Sequence, residues 1–180
     1  MRAFFISLML VFATPLQADP IEAARMKGSI LLMRHATAPG TGDPSGFQIG
    51  DCSTQRNLSQ AGRAEAKAVG ARLRAAGIGL SHILTSQWCR AHETADLLGL
   101  GPVTLFPAAN SFFSARQDQP RQSAETLAYL RTLPDDARVL IVTHQVNITA
   151  LTGVVPRSGE IVVTRRTAQG LQVVDRLPPP

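Results

Sequence analysis

The chain has 180 residues, with 18 Lys and Arg against 13 Asp and Glu and a formal charge of +5. A hydrophobic share of 44% beside 17% charged residues is enough to bury a core, which excludes a mainly disordered or fibrous chain. The length suits one domain. Almost all of the positive charge is arginine, spread along the chain and adjacent only at Arg165-Arg166, so there is no basic arm and no nucleic-acid partner is expected.

Met1-Arg2 gives a positive start, Ala3 to Ala13 is an apolar run interrupted only by Ser7, and Leu16-Gln17-Ala18 ends in a small residue suited to cleavage. This pattern predicts a signal peptide over 1–18 and a mature domain over 19–180. The run is too short for the ~30 Å hydrocarbon core, and Thr14-Pro15 ends it, so no membrane anchor is expected after cleavage. An uncleaved anchor is the alternative. The expected location is periplasmic or secreted. An oxidising compartment permits Cys52 and Cys89 to pair, and a disulfide is the expectation. Spacing does not set their distance, so two unlinked thiols are the alternative.

Along the chain, Gly28 to Met33 is apolar on both faces, as in a buried parallel strand, and ends at Arg34-His35. Ala36 to Asn57 holds Pro39, Gly40, Gly42, Pro44, Gly46 and Gly50 and predicts a long loop. Ser59 caps a helix with Ala66, Val69, Leu73 and Ala76 at spacings of three and four, stopped by Gly77. His82 to Thr85 predicts a second strand, Trp88 to Leu98 a helix, and Val103 to Leu105 a short strand. Pro107 to Pro120 reads as a loop, Arg121 to Leu133 as a helix, and Arg138 to Val142 as another buried strand, ending at Thr143-His144. A short helix follows over Gln145 to Leu151, then a hairpin of Glu160 to Thr164 and Gly170 to Val174 at a sheet edge. The alternation predicts a single α/β domain with a mostly parallel sheet.

In such sheets the carboxyl ends of the strands face the binding crevice, and Arg34-His35, Ser86 and His144 all fall there. Two imidazoles with at least two guanidiniums make a cationic pocket suited to a dianion. Arginine's fork matches phosphate oxygens, and a neutral imidazole nitrogen can accept a phosphoryl group.

Four segments carry a resemblance. Leu32-Met33-Arg34-His35-Ala36 resembles the Arg-His-Gly signature of the histidine phosphatase superfamily, the phosphoglycerate mutase-like proteins, with Ala in place of Gly. Asn57 to Arg63 is similar to the family's Leu-Ser/Thr-x-x-Gly helix start, Ser86 to Ala95 to its second-arginine segment, and Val142-Thr143-His144 to its second-histidine strand. The resemblance covers about residues 28 to 153. It implies a three-layer α/β sandwich with helices flanking the sheet and a phosphomonoester hydrolase without a cofactor or metal. It makes His35 the nucleophile that forms a phosphohistidine, with Arg34, Arg90 and His144 holding the phosphoryl oxygens.

Many members place a carboxylate after the third strand, whereas this chain has Ala109-Asn110-Ser111-Phe112-Phe113 there. Asp118 is the nearest downstream acid and is the candidate. Glu125 is placed on the following helix and Glu93 as a support for Arg90. A substrate with a good leaving group, such as a phosphohistidine or an acyl phosphate, would need no acid. Ala38 and Gln145 depart from the phytase-like pattern, and the chain leaves little room for a mutase lid. Export favours a phosphorylated envelope sugar or glycolipid as the substrate. Phe47, Phe112 and Phe113 border the expected pocket or pack the core. A non-catalytic phosphate-binding module is the alternative from another class, and a zinc site of His35, His82, His92 and His144 is a third, weakened by the lack of short ligand spacing.

Overall fold

The computed structural model describes residues 19–180, so the expected signal peptide lies outside the described residues. Six strands form one sheet: β1 (Ser29–Arg34), β2 (His82–Thr85), β3 (Thr104–Leu105), β4 (Val139–Thr143), β5 (Ile161–Arg166) and β6 (Leu171–Leu177). Their order is β3-β2-β4-β1-β5-β6. The first four in that order run parallel, while β5 and β6 form an antiparallel hairpin whose inner strand pairs with β1. Five helices complete the fold: α1 (Pro20–Arg25), α2 (Gln60–Ala75), α3 (Cys89–Leu98), α4 (Gln119–Thr132) and α5 (Gln145–Thr152).

Successive side chains of a strand point to opposite faces. Leu31 and Met33 of β1 and Leu140 and Val142 of β4 pack with Val69 and Leu73 of α2 and with Ala91, Ala95 and Leu98 of α3. The alternate residues Ile30, Leu32, Val139 and Ile141 pack with Leu130 of α4 and Ile148 of α5. Both faces are therefore covered, which is why these strands read as unbroken apolar runs. The result is a three-layer α/β sandwich. Among the described residues no helix is long and apolar enough to cross a membrane.

The structure adds α1, which the sequence pattern passes over because six residues carry almost no periodicity. Asp19 caps it by accepting from the Ile21 N–H at 3.0 Å, Pro20 starts it, and Ala23 and Ala24 are buried. The expected loop over 107–120 is also more ordered than its composition suggests. It contains 3-10 turns at Pro107–Ala109 and Arg116–Asp118, and α4 begins at Gln119.

α2 and α3 approach closely where α2 carries glycine. A Cβ on Gly70 would lie 2.0 Å from the Leu98 carbonyl oxygen at the end of α3. Gly70→Ala must push the helices apart, and a loss of about 1–3 kcal/mol is expected from overpacking. Denaturant unfolding of the variant checks this, and an unchanged midpoint would contradict the close approach.

Candidate active site

The register between β1 and β4 pairs Arg34 with Thr143. The next residues, His35 and His144, consequently leave adjacent strands side by side, and the His35 N–H donates to the Thr143 carbonyl at 2.9 Å. Their ring centroids are 5.4 Å apart with an interplanar angle of 66°. Thr85 ends β2 and passes the chain to Ser86, while α3 presents Arg90 from its first turn.

The backbone beyond His35 is fixed by short polar side chains. Ala36 N–H donates to Thr94 Oγ1 at 3.1 Å, and Thr37 gives its N–H and hydroxyl to Glu65 Oε2 at 3.0 and 2.6 Å. Ser59 caps α2 by accepting from the Gly62 N–H at 2.9 Å and donates its own N–H to Thr37 O at 3.1 Å. A Cβ on Gly62 would meet that same carbonyl oxygen at 2.0 Å. The Ser-x-x-Gly spacing thus lets the start of α2 press on the turn that carries His35.

The ring of His35 has a defined tautomer. Arg90 Nε–H, which can only donate, lies 3.2 Å from His35 Nε2. Nε2 is therefore the lone-pair nitrogen, and Nδ1–H donates to Ala36 O at 2.8 Å. Burial, the larger cause, and the nearby guanidiniums of Arg90, Arg34 and Arg56 push the His35 pKa down to about 3, although the Ala36 contact works in the other direction. His144 is likewise held well below its ordinary value by burial, then by His35 and the arginines. Its Nε2 lies 2.9 Å from Ser86 Oγ, which is 3.2 Å from Asn110 Oδ1. Both imidazoles are neutral at pH 7.

Arg90 is 2% exposed. Its two Nη groups donate to the two carboxylate oxygens of Asp43 at 2.6 and 3.1 Å, and Trp88 Nε1–H donates to Asp43 at 3.0 Å. Burial alone would raise the Asp43 pKa, but the Arg90 contact and the Trp88 bond outweigh it and hold the carboxyl below its usual range. Arg56 donates Nε–H to Gly42 O at 2.8 Å and Nη1–H to Ala38 O. Arg34 donates from Nη1 to Pro156 O at 3.0 Å, and its buried Nε has no partner.

A cavity of about 140 Å³ opens among Arg34, His35, Arg56, Arg90, His144 and Asp43. Its lining holds three guanidiniums and one carboxylate, and with neutral imidazoles the local charge is +2. A phosphoryl dianion neutralises that charge, and the arginines supply the planar donors it needs. The arrangement can bind such a group beside an unprotonated nitrogen nucleophile.

Arg34, His35, Arg90 and His144 thus come together as the sequence suggested. Asp118 does not join them. It starts α4, lies 3.4 Å from Arg121, and borders a neighbouring groove rather than the phosphate-sized cavity. Glu93 is not the support of Arg90 that its position on α3 suggested, because its carboxylate pairs with Arg63 of α2 at 2.5 Å. Glu125 lies on α4 against Arg121. Phe112 is buried, Phe113 lines the cavity, and Phe47 stacks on Trp88 at 4.8 Å between centroids. Of the four histidines in the zinc alternative, only His35 and His144 converge. His82 lies beside Ser81, and His92 sits 3.6 Å from Asp96.

Sequence reasoning missed Asp43 and Arg56. Gly42-Asp43-Pro44 carries only a turn signal, and Arg56 precedes the Ser59 cap with no periodic partner. Asp43 is held by Arg90 and Trp88 and Arg56 by loop carbonyls, and the same loop carries the expected disulfide: Cys52 and Cys89 are bonded with a Cα–Cα distance of 5.7 Å. It ties the long loop to the residue next to Arg90, and Gln55 Oε1 adds a bond from the Cys89 N–H at 2.9 Å.

With this geometry established, the wider relationships can be placed. Residues 30–108 match the family described as the histidine phosphatase superfamily (branch 1). Among solved structures, the protein histidine phosphatase SixA complexed with tungstate aligns with a TM-score of 0.61 at 18% identity, covering 84% of this chain and 97% of that one. A putative phosphohistidine phosphatase SixA from Agrobacterium tumefaciens aligns at 0.60 and 18% identity, covering 85% and 99%. A putative alpha-ribazole-5'-P phosphatase from Escherichia coli K-12 aligns at 0.60 and 16%, covering 83% and 96%. A search of curated protein sequences gives no match. The chain shares the fold of these phosphatases, and its residues 30–108 carry the family match.

Two stability predictions follow from the site. Unfolded His35 takes up a proton near 6.5, whereas the folded residue does so only near 3. Its contribution is present above pH 6.5 and lost as pH falls through that window, and His144 acts in the same direction. Unfolding free energy of the ligand-free protein should decline from pH 6.5 toward 3, and His35→Asn should flatten the decline; an equal slope in the variant would refute the assignment. Separately, reduction of the disulfide, whose cysteines are 37 residues apart, should lower stability by about 3–4 kcal/mol, read by denaturant unfolding with and without dithiothreitol.

Proposed function

We propose that the protein hydrolyses phosphomonoesters through a phosphohistidine on His35. The observation that carries this reading is the lone pair of His35 Nε2, fixed by Arg90 Nε–H at 3.2 Å in a cavity of net positive charge. On binding, phosphoryl oxygens replace the Asp43 carboxylate at the Arg90 Nη groups and take donors from Arg34 and Arg56. The Arg90 Nε–H leaves Nε2 and turns to a phosphoryl oxygen, and the freed His35 Nε2 lone pair attacks phosphorus in line. The P–N bond forms, the P–O bond to the leaving group breaks, and the leaving oxygen takes a proton from solvent. Charge developing on the equatorial oxygens is met by preorganised guanidiniums. In the second half, water attacks phosphorus, the P–N bond breaks, and phosphate departs while Nε2 recovers its lone pair. Asp43, displaced from the Arg90 Nη groups and still ionised, accepts the proton of that water and releases it to solvent as it pairs with Arg90 again once phosphate has left. His144, its ring centroid 5.4 Å from that of His35, lines the same cavity and contacts the phosphoryl group there.

The substrate in this reading is a phosphorylated envelope sugar or glycolipid met in the periplasm or outside the cell. The apolar N-terminal segment and the Cys52–Cys89 bond support that location. A second reading, a phosphohistidine or acyl-phosphate phosphatase, is favoured by two points. The one carboxylate in the cavity is ionised and salt-bridged, so it is a poor acid for an alkoxide leaving group. Two of the structural neighbours also carry names of phosphohistidine phosphatases.

Rapid-quench labelling with a radiolabelled phosphomonoester should give an acid-labile, base-stable adduct in the wild type and none in His35→Ala. Asp43→Asn should slow breakdown of the adduct by about 10²–10⁴-fold, the usual worth of a positioned base, so that the phosphoenzyme accumulates. Absence of both adduct and phosphate release across esters, phosphohistidine and acyl phosphates would reduce the protein to a phosphate-binding module.

A further inference from the structure

The cavity that fits phosphate adjoins a second, larger one. This groove has a volume of about 650 Å³, within the usual range of small-molecule sites, and shares Asp43, Ser111 and Phe113 with the first. An ester whose phosphorus lies against His35 has to send its organic part somewhere, and the shared wall makes the groove its continuation.

The chemistry of the groove is specific. Phe47 and Trp88, stacked on each other, contribute to one wall, and the exposed faces of Ile49 and Phe113 add apolar surface. Aromatic rings and an aliphatic side chain in one lining offer a ring-bearing group dispersion contacts. Gln122 adds a polar point: it lines the groove, is 7% exposed, gives Nε2 to Asn110 O at 3.2 Å, and keeps an Oε1 with no protein partner. A buried acceptor without a partner is costly unless a ligand or water donates to it.

Charge narrows the occupant further. The one arginine lining this groove, Arg121, is engaged by Asp118 at 3.4 Å and Glu125 at 3.0 Å. Asp43 and Asp118 add two carboxylates to the walls. A second phosphate or a carboxylate on the organic part would face Asp43 and Asp118 in the walls with Arg121 already engaged; Arg116, 5.4 Å over the Phe113 ring, is a nearby cation that does not line the groove.

We infer that this groove is the subsite for the leaving group, and that it selects the phosphomonoester of a neutral, ring-bearing alcohol over small, flexible or additionally anionic esters. The inference rests on the phosphatase reading above for its substrate but not for its test, because occupancy of the groove can be read without turnover.

The probes are non-hydrolysable phosphonates bound to the full mature protein and measured by calorimetry. 2-Phenylethylphosphonate should bind about tenfold more tightly than propylphosphonate, the gain expected from burying one ring. A carboxylate added at the far position of that ring should erase the gain. Ile49→Ala should weaken 2-phenylethylphosphonate at least about threefold while leaving propylphosphonate unchanged, since Ile49 lines only the groove. Equal affinities for the two phosphonates, an undiminished gain with the carboxylated ring, or an unaffected Ile49→Ala would each overturn the subsite. Turnover of p-nitrophenyl phosphate is scored separately: its absence counts against the phosphatase reading, whereas the phosphonate ratio decides the groove.

Discussion

Arg90 is the residue on which the site depends. A guanidinium this buried cannot remain unpaired, because the cost of removing its charge from water must be offset by a close anion and by hydrogen bonds that use its donors. The protein answers with Asp43 across both Nη groups and His35 across Nε. These contacts do more than stabilise Arg90. The donor at Nε fixes the tautomer of His35, and the carboxylate occupies the donors that a phosphoryl group requires. Arg90 is therefore already paired, and in the proposed reading binding of a phosphoryl group exchanges one anion for another instead of creating a new buried charge pair.

Such an exchange works only if the loop carrying Asp43 holds its place while the carboxylate yields. The loop between β1 and α2 is rich in glycine and proline and would be expensive to order by packing alone. It is held at two points. Near its middle, Cys52 is bonded to Cys89, next to Arg90 in the chain, and Gln55 and Arg56 bond to α3 and to carbonyls of the same loop. At its two ends, Thr37 and Ser59 meet over Gly62. The covalent tie and the glycine contact serve one geometry: β1, α2 and α3 are brought close enough for three guanidiniums to share one cavity. Their mutual repulsion is visible at Arg34 and Arg56, both held below the ordinary arginine value by burial and then by Arg90.

The parts of this arrangement that were legible in the sequence are those set by local pattern. β1 and β4 announce themselves as apolar on both faces, which requires a covered sheet, and Arg34, His35 and His144 follow because they sit where those strands end. Ser59 and Gly62 are legible as a helix start, and Arg90 as part of the helix after β2. Asp43 and Arg56 were not legible because loop residues acquire a position from tertiary ties, and a turn-forming sequence says nothing about where the turn goes. Asp118 and Glu93 mislead for the opposite reason. Each is close in sequence to the place where an acid or a partner was wanted, yet each satisfies a local need elsewhere, Asp118 beside Arg121 and Glu93 with Arg63 of the neighbouring helix.

The position of Asp43 also bears on which bond the site is suited to break. A carboxylate held ionised by a guanidinium can serve as a base but not as an acid, and in the proposed mechanism a base contributes to the half in which water attacks the phosphoryl-enzyme. The other half then lacks a strong acid within the cavity. Departure of the leaving group must be assisted by the charge on the phosphoryl oxygens, by solvent, or by the substrate's own chemistry. A groove that holds the organic part firmly compensates in a different way, since binding energy from the non-reacting portion can hold phosphorus in line with Nε2. In the proposed reading, electrostatics at the small cavity and shape at the large one are complementary: the first would supply affinity for any phosphoryl dianion, and the second would decide which of them stays long enough to react.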